Sequence, residues 1–253
     1  MKTYRTWIQL AVSLMAFVAA DFVGLPARAD DYLTPIQLPN AIPLKTIATV
    51  HRIRDAGKGW KVFGCYPEFT LVTPLTTVAQ NRLRRDCLKD LASSTSDLKA
   101  SVAAGVDGAL EYQQAPQVTL YEPNHLISTA DLEYEYQGGA HGDFGVSCIT
   151  FGQVGAVARV LTVGDFFLSG KDYHTFLNGA LMAKLKAMAG ADWAQDGTMT
   201  SVTNDQLNNF SVYPDGLVWH FDPYAAGSFA SGEINVKMTW AELGPGLNKA
   251  FLP

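Results

Sequence analysis

Two apolar-rich segments, Ile47 to Ile53 and Trp60 to Phe63, flank Asp55-Ala56-Gly57-Lys58-Gly59, and that turn signal predicts a β-hairpin. Cys65-Tyr66-Pro67-Glu68-Phe69 is expected to carry the second strand into a loop. From Val78 to Leu98 the period lengthens. Leu83, Cys87 and Leu91 lie four apart while Arg82, Arg85, Lys89 and Asp90 fill other faces, so the spacing predicts an amphipathic helix. The basic run Arg82-Leu83-Arg84-Arg85 reads as its solvated face. After Gly105 the pattern returns to period two. Ala109 to Tyr121 and His125 to Gln137 flank Glu122-Pro123-Asn124, a second hairpin. In its later strand Leu132, Tyr134 and Tyr136 should point one way and Glu133, Glu135 and Gln137 the other, giving one buried and one wet face.

Phe144 to Phe151 and Val157 to Thr162 read as two more strands joined through Gly152 to Gly155. Ser169-Gly170-Lys171-Asp172 resembles a capping box ahead of a helix. That helix carries Tyr173, Phe176, Leu177, Ala180, Leu181, Leu185 and Met188 as one apolar stripe. Phe210 to Val212 and Leu217 to Phe221 flank Pro214-Asp215-Gly216, a third hairpin, and a loop over 222–233 leads to a last strand, Ile234 to Thr239. The pattern predicts an α+β protein: a mostly antiparallel sheet built from consecutive hairpins, with two main amphipathic helices.

The first residues change this picture. Lys2 and Arg5 precede the uncharged apolar run Trp7 to Ala20, and Ala27-Arg28-Ala29 offers a small-x-small cleavage pattern, so a Sec-type signal peptide cut after Ala29 is expected. The run is shorter than the ~20 residues of a membrane-spanning helix. The expected organisation is therefore a leader over 1–29, an irregular proline-containing arm over 30–45, and one domain over 46–253 with halves 46–150 and 151–253. A periplasmic or secreted location follows, with no transmembrane anchor after cleavage. Without the leader the chain keeps 16 of its 19 basic and 23 of its 24 acidic residues, a net charge of −7. That balance argues against nucleic acid and anionic lipid as partners and suits a basic protein.

Three cysteines remain, Cys65, Cys87 and Cys148, with no Cys-x-x-Cys pair. In an oxidising compartment one disulfide and one spare thiol are expected, and Cys65–Cys87 is the nearer pair; the alternative is three buried, reduced thiols serving as small core hydrophobes. Closure of the disulfide would contribute about 3 kcal/mol in the chain-entropy view.

Motifs for catalysis or cofactor binding are few. Gly227-Ser228-Phe229-Ala230-Ser231-Gly232 has the composition of a nucleophile elbow without its spacing, and no Walker loop or His-Glu-x-x-His occurs. No cofactor is expected. The stretch with most chemistry is Tyr136-Gln137-Gly138-Gly139-Ala140-His141-Gly142-Asp143. His141, Asp143 and Cys148 could offer nitrogen, oxygen and sulfur to zinc, with His125 or His220 as a fourth ligand, or Cys148 could pair with His141 as a nucleophile. The structural alternative fits better. Gly138, Gly139 and Gly142 supply positive φ or close approach at a strand end, Ala140 keeps the bend tight, and His141 hydrogen-bonds turn backbone. No metal is assigned.

Tyr136 to Gly142 resembles the tyrosine-x-Gly-Gly-Ala-His-Gly signature of the RsiV-like extracytoplasmic domain, shared with the non-catalytic N-terminal region of PdaC-type peptidoglycan deacetylases. Tyr66-Pro67-Glu68-Phe69, Leu161 to Phe167, Phe210 to Phe221 with Pro223-Tyr224, and Val236 to Leu243 resemble further segments of that family in the same order. The resemblance implies the fold and a binding role at the envelope or cell wall; it does not imply sigma-factor regulation or deacetylation. The expected function is an exported, non-enzymatic binding domain that recognises a basic protein such as lysozyme, or peptidoglycan fragments. The alternative is a wall-polymer hydrolase using His141 and Asp143, with or without a metal. The loop 222–233, through Pro223, Tyr224 and Phe229, is the candidate contact surface.

Overall fold

The computed structural model describes residues 38–253, so the leader over 1–29 and residues 30–37 of the arm lie outside the described residues. The rest of the arm joins the fold. Leu38 is buried and its N–H donates to Gln117 Oε1 at 2.9 Å, and Ile42 bridges to Val118 before a 3-10 turn at Leu44–Thr46.

β1 (Ala48–Gly57) and β2 (Trp60–Phe69) form the first hairpin, turning where Gly59 takes φ 83°. β2 continues through Cys65 to Phe69, where a loop was expected. α1 (Pro74–Ala103) starts four residues earlier than its apolar stripe suggests, because Thr73 and Thr76 build a capping box and Pro74 occupies the first turn. Leu75, Ala79, Leu83, Cys87, Leu91 and Leu98 form its buried stripe against the sheet. β3 (Leu110–Glu122) and β4 (Leu126–Tyr136) are the second hairpin, followed by β5 (Asp143–Val154) and β6 (Val157–Leu161). These six strands make one sheet in sequence order, antiparallel throughout except for β2 and β3. That pair is parallel because the α1 crossover returns the chain to the same end of the sheet.

The C-terminal region builds a second layer. α2 (Tyr173–Ala187) is capped by Asp172, whose carboxylate accepts from Thr175 N at 3.0 Å; Ser169 is not the cap. Its buried residues are Leu177, Leu181, Met182 and Leu185, whereas Phe176, expected in the stripe, is exposed. Short helices α3 (Asp192–Gln195), α4 (Asn204–Asn208) and α5 (Trp240–Leu243) surround a three-stranded antiparallel sheet of β7 (Phe210–Tyr213), β8 (Gly216–Phe221) and β9 (Ile234–Thr239). Trp219 is fully buried at the centre of this core and donates Nε1–H to Leu207 O at 3.0 Å.

The second sheet docks on the first through β7, which lies against β3, β4 and β5. β4 is therefore buried on both faces from Leu126 to Leu132, covered by α1 on one side and β7 on the other. The wet face expected on this strand is absent at Glu133 and Glu135, which are half-buried.

Cys65 and Cys87 are both buried free thiols, so the disulfide expected between them is not formed. Burial pushes each thiol up to about 12, with the negative charge of Asp131 adding to the effect. A thiol held in its neutral form is a poor partner for disulfide exchange, and both cysteines instead serve as small core side chains.

Candidate functional site

The glycine-rich bend is built as its composition demands. Gly138 and Gly139 adopt φ of 92° and 108°, and the Tyr136 hydroxyl donates to Gly139 O at 3.0 Å across the turn. Gly142 lies under the Tyr134 ring, where an added Cβ would stand 2.4 Å from the phenol oxygen. Ala140, His141 and Asp143 are exposed at the tip. Asp143 Oδ1 accepts from Phe144 N at 3.0 Å, and His141 Nδ1–H donates to Gly142 O at 2.9 Å. The two side chains make no hydrogen bond to each other.

His141 makes its long-range contact by stacking. Its ring lies on that of Phe229, centroids 3.9 Å apart and 19° between planes. Phe144 meets Phe229 edge-on at 6.0 Å, Tyr224 packs against Phe229 at 5.8 Å, and Trp193 stacks on Tyr224 at 6.3 Å. The bend and the loop 222–233, separately singled out in the sequence, thus form one aromatic surface with α3. Tyr224 is 53% exposed and holds φ of 66°, an uncommon conformation for a tyrosine. Pro223 is buried and anchors the loop instead of facing solvent. Trp193, which the sequence did not single out, donates its backbone N–H to Ala226 O at 3.1 Å. Gly227 completes the clamp: a Cβ there would stand 2.0 Å from Gly190 O. Gly227→Ala is expected to cost about 1–3 kcal/mol through this overlap. A thermal melt and the fluorescence of the tryptophans would show it, with Trp193 moving into water.

Behind the aromatic surface lies a polar seam between the sheets. β6 pairs only with Thr150 to Val154, so the earlier half of β5 has one edge without a strand. Side chains just outside β7 and β8 complete that ladder. Val146 N donates to Asp222 Oδ1 at 2.9 Å, Cys148 N donates to Asn209 Oδ1 at 2.9 Å, and Asn209 Nδ2 donates to Val146 O at 2.8 Å. Next to this seam Glu233 Oε1 accepts from His220 Nδ1 at 2.7 Å, His220 Nε2 lies 2.6 Å from Ser211 Oγ, and Ser211 Oγ lies 3.4 Å from Cys148 Sγ. Burial pushes the His220 imidazole down, but Cys148 and Glu233 outweigh it and raise it to about 10. The histidine is therefore an imidazolium at neutral pH, and Ser211 is fully buried beside it. Ser–His–Glu geometry is present here without a neutral base to accept the serine proton. Cys148 thus meets His220, not His141, and His125 binds Leu252 O elsewhere at 3.0 Å. Among the described residues no group of three His, Cys, Asp or Glu is arranged to hold a metal ion.

Residues 164–241 match the model of DUF3298, a family of unknown function. The fold is similar to that of a DUF3298 family protein from Pseudomonas aeruginosa, with TM-score 0.57 and 15% identity, covering 83% of this chain and 99% of that one. It is also similar to a DUF3298 family member from Bacteroides fragilis, with TM-score 0.52 and 15% identity, covering 80% of this chain and 94% of the other. No curated protein matches the sequence. The matched stretch runs from the 3-10 turn before α2 to α5 and so contains Ser211, His220, Glu233 and the loop 222–233. The signature over 136–142 lies outside it. Among the described residues no helix is long and apolar enough to cross a membrane.

A second buried polar group sits where β3 and β4 face α1. Gln114 Nε2 donates to Asp131 Oδ2 at 2.6 Å, while Asp131 Oδ1 and Gln114 Oε1 have no protein partner. Burial holds the Asp131 carboxyl well above the carboxylate range, and the charge of Glu133 adds to this. Burial, with Asp90 and Asp222 nearby, pushes Glu133 up to about 7. Asp222 is raised by burial to about 6, although its bond from Val146 opposes the shift. The alternation of the strand put Glu133 on a wet face; with Asp131 and Asp222 it instead forms a group of buried and half-buried acids that hold their protons more tightly than usual.

Proposed function

We propose that this chain is a non-enzymatic binding domain of the bacterial envelope whose partner is a basic protein of the lysozyme kind. The observation that carries this reading is the aromatic cluster of His141, Phe144, Trp193, Tyr224 and Phe229, assembled from three separate stretches, with His141 and Tyr224 exposed and the other three half-buried. Exposed tyrosine and tryptophan faces are the groups that anchor protein interfaces, and they also take lysine and arginine side chains by cation–π contact. Charge supports the same partner. Residues 100–253 carry six Lys and Arg against 16 Asp and Glu, of which Asp131, Glu133 and Asp222 are the raised acids described above, whereas residues 38–99 carry ten against five. The residues of the aromatic surface belong to the acidic portion of the chain, a balance that favours a cationic partner. The likeness of Tyr136 to Gly142 to the RsiV- and PdaC-type signature points to the envelope as well. A hydrolase built on His141 and Asp143 gains no support, because each of those side chains is turned to local backbone.

Immobilised egg-white lysozyme and low-salt buffer provide the test. Binding is expected, weakening at least tenfold in Tyr224→Ala and falling as salt rises. Absence of binding at low salt, or binding that Tyr224→Ala leaves intact, overturns the protein-partner reading. Capture of soluble peptidoglycan fragments in place of lysozyme would transfer the surface to a saccharide.

A further inference from the structure

Of the three cysteines, Cys65 and Cys87 are buried, while Cys148 on β5 is half-buried. Cys148 also differs in its surroundings. A continuous hydrogen-bonded chain runs to it from the acid Glu233 through His220 and Ser211. The direction of that chain follows from its members. His220 donates Nδ1–H to Glu233 and, when protonated, Nε2–H to Ser211 Oγ. The Ser211 O–H is then released to point at Cys148 Sγ, the acceptor 3.4 Å away. His220 and Ser211 are almost or wholly excluded from water, which strengthens each dipole in the chain.

We propose that Cys148 is a reactive thiol and a site of mixed-disulfide formation with small disulfides, and that Ser211, His220 and Glu233 are positioning residues that activate it. Serine and imidazolium together present a positive, hydrogen-bonding environment to Sγ, the setting in which cysteine nucleophiles are found. Glu233 keeps the imidazole protonated and oriented. The reaction is thiol–disulfide exchange. Cys148 loses its proton to solvent and its sulfur attacks one sulfur of a disulfide R–S–S–R. The S–S bond of the reagent breaks, a Cys148–S–S–R bond forms, and the departing RS⁻ takes up a proton to leave as RSH. One disulfide replaces another, with no net oxidation. Leu38 and Ala41 of the arm pack in the same cluster as Cys148.

The probe is 5,5′-dithiobis(2-nitrobenzoate), whose released thiolate is followed by absorbance on the native protein. One fast thiol per chain is expected, and it should vanish in Cys148→Ser. Ser211→Ala, which removes one buried hydroxyl, should slow that phase tenfold or more with an unchanged circular dichroism spectrum. His220→Gln should slow it further; if that variant does not fold, Ser211→Ala alone decides. A fast phase that survives in Cys148→Ser overturns the proposal. So does a Cys148 rate that Ser211→Ala leaves unchanged or increases, and so does a native protein with no fast thiol.

Discussion

Raising the pH from 5 to 8 is expected to lower the melting temperature of this domain by on the order of 5 °C. Most proteins lose stability as acid protonates their paired carboxylates; here the buried groups act in the other direction. A carboxyl raised by the fold binds its proton more tightly when folded than unfolded. The stability it contributes is complete below its ordinary value and is lost as pH rises through the folded value. For Glu133 that interval runs from 4.5 to about 7, and for Asp222 from 3.8 to about 6. His220 behaves alike, with stability present below 6.5 and lost as pH rises through about 10. A tenfold gain in proton affinity on folding is worth about 1.4 kcal/mol for a group fully cut off from solvent, and partial solvation of Glu133 reduces its share. Asp165, held low by Arg159 and the Thr162 cap despite some burial, gives the ordinary acid limb below pH 4. Thermal melts from pH 4 to 9 should therefore peak near pH 5. A maximum at pH 7 or above would show that these acids are ionised and solvated in the native state.

Glu233→Gln is expected to destabilise the domain by about 3–5 kcal/mol, because it strands a charge. The His220 side chain has no exposed surface and that of Glu233 is 7% exposed, so neither partner can turn to water when the other is lost. Glutamine keeps a hydrogen-bond acceptor for Nδ1–H but removes the negative charge that balances the imidazolium. His220→Gln combined with Glu233→Gln should recover part of the loss, since two neutral amides need no charge compensation. Urea unfolding of the wild type, both single variants and the double variant would measure the coupling. A Glu233→Gln effect below about 1 kcal/mol would mean that His220 is neutral in the fold.

How much of this was legible in the sequence depended on distance along the chain. The three hairpins were readable because Asp55 to Gly59, Glu122 to Asn124 and Pro214 to Gly216 set their turns locally. The stripe of α1 was readable from Leu83, Cys87 and Leu91, and its true start was signalled by Thr73-Pro74. The parallel pairing of β2 with β3 was not readable, since no local pattern says which strand a crossover will join. Nor was the docking of the second sheet, which rests on single polar residues such as Asn209 and Asp222 whose partners lie 61 and 76 positions away. One signal carried more than a candidate metal ligand. His220 interrupts the run Leu217-Val218-Trp219-His220-Phe221, and a histidine in so apolar a strand must find a buried partner. The bend at Gly138 and Gly139 takes the positive φ that glycine offers, but its histidine reaches across to Phe229, a contact between residues 88 positions apart that sequence spacing cannot reveal.

Hydrogen–deuterium exchange on the wild-type domain, with and without saturating lysozyme, tests the central claim most directly. Added protection confined to residues 138–144, 192–195 and 222–231 is the expected result. Protection appearing instead along β1 and the basic face of α1, with the aromatic surface unchanged, would contradict it.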